Sequence, residues 1–164
     1  MNSTKSHSDA WVLFIVLSLL LSTALVQAVV GFNTVLFPVR LEDYGYSKSL
    51  IGIILSFEIA SVLFIVSSVN RIISALGLVG TILVATGGRV LMLFILSQTR
   101  NFPLWCLSIF LFGLSTYLIL IALQTWINGV PLQRYRGFVI GCFSSALSLG
   151  TASGPIFLNI VGVD

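Results

Sequence analysis

Histidine occurs once in these 164 residues, at position 7, and acidic residues number only five. His7 sits in the polar stretch MNSTKSHSD, ahead of the first apolar block, so no histidine can serve as metal ligand or general base among the apolar segments. Of the carboxylates, Glu58 alone falls inside an apolar block, which excludes a paired-carboxylate site there. No enzyme is expected from such a set. The two cysteines, Cys106 and Cys142, lie in different apolar blocks without metal or redox spacing and read as inert buried thiols. No metal and no cofactor is expected. The basic residues form no run and do not interleave with aromatics, so nucleic acid is not an expected partner.

What the chain has in abundance is hydrocarbon. Hydrophobic residues make up 57% and charged residues 8%, with a mean hydropathy of +1.10. A soluble domain carries about 25% charged residues, so the expected surroundings are a lipid bilayer. Five apolar blocks of helical length stand out, at about 10–39, 49–68, 74–97, 104–126 and 137–163, after a polar tail over 1–9. The expected fold class is all-α, a polytopic bundle of five transmembrane helices joined by short loops, RLEDYGYSK, Asn70-Arg71, QTRNFP and the stretch around Leu132–Arg136. A signal peptide ending near Val26-Gln27-Ala28 competes for the first block, but the run VVGFNTVLFPV continues without a break and suits a retained, tilted or bent span. Trp11, Trp105 and Trp126 fall close to proposed helix ends, where indole rings favour the interface. Lys5, Arg71, Arg134 and Arg136 on one side outnumber Arg40, Lys48 and Arg100 on the other, which favours a cytoplasmic N-terminus.

Several residues stand out against this background. A carboxylate at mid-membrane costs at least about 2.5 kcal/mol, so Glu58 must be neutral, paired or facing a wet cavity. Arg89 is its expected partner: in antiparallel second and third spans, both would lie roughly 12–14 Å below the same face. The pair reads either as a proton or cation carrier or as an ion pair that fixes packing, with snorkelling of Arg89 as a third option. Gln27 and Asn33 in the first span point to nearly opposite sides of a helix, and Tyr117 and Gln124 in the fourth share a face; each could bond a neighbouring helix or touch solute. Gly137, Gly141, Ser145, Ser148 and Ala152 recur at helical spacing in the fifth block and suit close packing. Gly150, Gly154 and Pro155 follow, and the Gly-Pro step is a place to bend. Weak echoes between the first and fourth blocks and between the second and fifth fit a three-plus-three repeat.

In these features the chain resembles the N-terminal half of a major facilitator superfamily transporter. Gly150-x-x-x-Gly154-Pro155 is similar to the family's Gly-x-x-x-Gly-Pro motif, and Trp126-Ile127-Asn128 with Arg136-Gly137 resembles the span four to five loop of a bacterial branch. In that branch an acidic residue often precedes the tryptophan, where Gln124 stands here. Of the signature between spans two and three only Arg71 matches, with Asn70 in place of the aspartate and Val66, Ile73, Ser74 and Ala75 at the other positions. The arginine of the span-four motif would fall at Ile109, ahead of Gly113. The resemblance implies a secondary transporter working by alternating access in the cell (inner) membrane, on a small-molecule solute and protons, with Arg71, Arg134 and Arg136 on cytoplasmic loops. It also implies a second half, so the expected partners include missing C-terminal helices or another membrane chain, the sequence reading as truncated after the fifth span. The alternative is a non-transporting remnant or small membrane interaction protein.

Overall fold

A computed structural model describes residues 3–129 and 136–161. Four helices follow in order: α1, Ser3–Asp43; α2, Lys48–Gln98; α3, Phe102–Gly129; and α4, Arg136–Val161. The all-α membrane bundle is as expected, but the helices number four rather than five. The difference lies in α2, a 51-residue element that absorbs the second and third expected spans. All four are long and apolar enough to cross a membrane.

Asn70 and Arg71 were expected to make the connection, and they are instead exposed residues inside α2. The helix breaks at Gly77, whose φ of 70° and ψ of 172° are non-helical. A straight helix would hold Ile51 and Leu96 roughly 68 Å apart at about 1.5 Å per residue. Both instead belong to one buried apolar cluster, so the two arms of α2 fold back on each other at Gly77. A side chain at this φ/ψ clashes with its own backbone, although an added Cβ would meet nothing else within 4 Å. The Thr81 hydroxyl donates to the Gly77 carbonyl oxygen at 2.7 Å, tying the first turn of the second arm to the break. One glycine thus does what a polar loop was expected to do.

The other helix ends follow from local chemistry. α1 stops in a Schellman arrangement: the Gly45 amide donates to Glu42 O at 2.9 Å and the Tyr46 amide to Leu41 O at 3.1 Å, with Gly45 at φ 83°. Ser47 caps α2 by accepting from the Leu50 amide. Ahead of α3, the buried indole of Trp105 donates through Nε1 to Thr99 O at 3.0 Å, so this tryptophan anchors a turn from inside the core.

The chain divides into two compact units. One comprises residues 1–36 and 125–164, the other residues 37–124. The second is held by aromatic contacts: the Phe37 ring meets Trp105 at 6.0 Å and Phe112 at 5.5 Å edge-on, and Tyr44 meets Trp105 at 6.0 Å. Such pairs add about 0.5–1.5 kcal/mol each beyond area burial. The first unit is held by close backbone approach between α1 and α4. Gly150 comes so near that an added Cβ would lie 2.5 Å from Ala24 O, and Cβ atoms on Gly31 or Gly154 would overlap the facing backbone of Thr151 or of Gly31 and Phe32. In a bilayer, where apolar side chains gain little by leaving lipid, this van der Waals contact is a main source of helix association.

Candidate functional site

Within the second unit, both arms of α2 lie against the middle of α3. The first arm meets it at Gly113, where an added Cβ would be 2.5 Å from Ser61 Oγ and 2.7 Å from Glu58 O. The second arm meets it at Gly88, beside Ser115 Oγ. Glycine at these crossings lets the α2 backbone come close enough to α3 for Glu58 and Arg89 to share surroundings. Each feels the charge of the other, and the Tyr117 hydroxyl also lies within the field of Glu58.

Arg89 is only 4% exposed, and its guanidinium lies over the Phe112 ring at 4.8 Å from the centroid. The ring face attracts the cation and the contact strengthens as water is excluded. Neighbouring hydroxyls are used locally: Ser61 Oγ donates to Glu58 O at 2.5 Å, and Thr116 Oγ1 donates to Phe112 O at 2.9 Å. The titratable side chains at these crossings are one carboxylate, one guanidinium and one phenol. A carboxylate, a guanidinium and a phenol can hold or pass a proton, or face an ionised group. Among the described residues no group of three or more His, Cys, Asp or Glu could hold a metal.

In the first unit, Gln27 on α1 faces α4, its Nε2 donating to Thr151 Oγ1 at 3.4 Å while its buried Oε1 finds no partner among the described residues. Asn33 is buried but turns back on its own helix, Nδ2 donating to Val29 O at 2.8 Å.

A family model, described as the MFS_1 like family, matches residues 8–159. The chain belongs to that family. Neither the curated proteins nor the solved structures give a match. Membership in the MFS_1 like family makes the chain a multi-pass membrane protein of a transporter-type family related to the major facilitator superfamily.

The residues singled out in this MFS_1 like chain end up in different places. Glu58 and Arg89 lie within each other's field and Tyr117 within that of Glu58; Gln124, farther along α3, is exposed. Gly150 and Gly154 lie in the α1/α4 contact, whereas Gly137 and Gly141 have nothing within 4 Å of an added Cβ. Pro155 lies inside α4 and is exposed. Arg71 is exposed on the first arm of α2, Arg136 is exposed at the start of α4, and Arg134 falls outside the described residues. Sequence reasoning passed over Phe112, the ring beneath Arg89, because a phenylalanine in an apolar run carries no distinguishing mark. It also passed over Ser61, whose position one helical turn from Glu58 was an available signal.

Proposed function

We propose that this chain serves secondary transport of a small ionised or zwitterionic solute, driven by a proton gradient through alternating access. The observation that carries the reading is the opposition of Glu58 and Arg89 on two membrane-spanning arms, the latter buried against Phe112. Charged side chains at this depth are costly and persist where a pathway or relay uses them. Glu58 takes up and releases the proton. Its neutralisation shifts the Arg89 charge away from the carboxylate toward an anionic group on the solute, and the Tyr117 hydroxyl offers a further hydrogen bond. The close α1/α4 contact and Pro155 give a rigid pair with a bend for the rocking motion. We place the chain in a cell inner membrane with its N-terminus cytoplasmic, the orientation in which four basic residues of the sequence, Lys5, Arg71, Arg134 and Arg136, belong to the inner side and three, Arg40, Lys48 and Arg100, to the outer.

The test is uptake into proteoliposomes across a panel of ionised solutes with and without an inward proton gradient. Glu58→Gln should abolish the gradient dependence. In the double exchange Glu58→Arg with Arg89→Glu the pair survives but its order is reversed, and transport should fail; full transport would leave the pair a packing role only.

A further inference from the structure

On the second unit, the first arm of α2 and the start of α3 leave a groove of about 560 Å³ between them, walled by Phe57, Ala60, Phe64, Phe102, Cys106 and Phe110. Phe64 and Phe110 close its inner end, their rings edge-on at 5.3 Å. It is open along one side, since Phe57 is 38%, Phe64 63% and the neighbouring Leu107 54% exposed. Its walls are apolar, so water does not fill it, and in a bilayer it must hold hydrocarbon or a packed helix.

Three features decide between these occupants. From Phe57 to Phe64 the groove spans only about 10 Å of helix, less than the roughly 15 Å of one leaflet, whereas a transmembrane helix would need a seat across the whole core. The close helix contacts elsewhere in this chain are made at glycines, at Gly113, Gly150 and Gly154, and this groove is walled by large rings. Its volume is roughly that of 20 water-sized groups at about 30 Å³ each, which an acyl chain fills.

The mouth has a sign of its own. Both walling helices begin at this end, α2 at Lys48 and α3 two residues after Arg100. Their N-termini add partial positive charge, and at this end Arg40, Lys48 and Arg100 outnumber Glu42 and Asp43 at the close of α1 by one. Arg100 is held in place: Tyr46 donates its hydroxyl to Arg100 O at 2.6 Å, the guanidinium lies 5.2 Å from the Tyr44 ring centroid, and the Tyr46 ring packs at 6.1 Å on Phe102. We propose that this groove is a binding site for an anionic phospholipid, one acyl chain lying between the phenylalanine rings and the phosphate meeting Lys48 and Arg100.

The chain reconstituted in vesicles doped with phosphatidylglycerol or phosphatidylcholine, each carrying a photoreactive acyl chain, tests this. Label from phosphatidylglycerol should fall on residues 57–64 and 102–110 severalfold more than on the equally exposed face of Leu83, Val84, Val90 and Leu91. It should exceed label from phosphatidylcholine by about fivefold per basic residue engaged. Lys48→Gln with Arg100→Gln, both at exposed positions, should remove the head-group preference and leave the fold intact, and Ala60→Phe should empty the groove of either lipid. Uniform labelling along all exposed faces, meaning bulk lipid only, would overturn the proposal. So would a groove shielded from label and cross-linked instead to a second copy of the chain.

Discussion

Between α1 and α4 the helices meet backbone to backbone, with Gly150 against Ala24 and Gln27 and Gly154 against Gly31 and Phe32. The arms of α2 also meet α3 closely, at Gly113 and Gly88, but charged side chains lie at that crossing, with Arg89 over the Phe112 ring and within the field of Glu58. Both contacts are close; the first carries no charge, and the second carries a carboxylate and a guanidinium. An uncharged close contact suits a part that moves as one body, and a charged one suits a part that changes state. The family assignment gives that difference its functional sense.

Substitutions can break or sharpen this contrast. The largest loss is expected at Gly154→Leu, where even the first added carbon overlaps the backbone of Gly31 and Phe32. Overpacking of this kind costs about 3 kcal/mol or more, read as a fall in the thermal midpoint of the detergent-solubilised chain. Phe112→Leu comes next, at about 2 kcal/mol, since it removes the ring under Arg89 and the edge contact with Phe37. Gly77→Ala should cost about 1–2 kcal/mol through backbone strain alone, because no neighbour lies within reach of the new methyl group. Gly141→Ala should be neutral or stabilising by up to about 1 kcal/mol, since the same change meets open space and favours helix. If Gly141→Ala and Gly154→Leu lowered stability alike, the contrast between a packed and an open part of α4 would be lost.

The bundle class was legible in the apolar blocks, and the similar depths of Glu58 and Arg89 suggested the neighbourhood in which each feels the charge of the other. The count of helices was not. Asn70 and Arg71 look like a loop because polar residues interrupt an apolar run, yet exposed polar side chains at the end of a span need no break in the helix. Gly77, set between Leu76 and Leu78, carries no polar mark, and only its positive φ reveals the turn. The glycines of α4 taught a similar lesson. Periodicity placed Gly137 and Gly141 on a packing face, but which glycine is pressed against a neighbour depends on where α1 crosses, a tertiary fact that spacing alone does not contain. Asn33 read as an interhelical or solute-facing group, and spacing did not foretell that its Nδ2 donates to Val29 O on its own helix.

The most direct test of the central claim is the proton-gradient dependence of solute uptake by the reconstituted chain, compared with that of its Glu58→Gln variant under the same gradient. Uptake that rises with the gradient in the unaltered chain and becomes indifferent to it in the variant is the expected result. Gradient-driven uptake of equal size in both would contradict it.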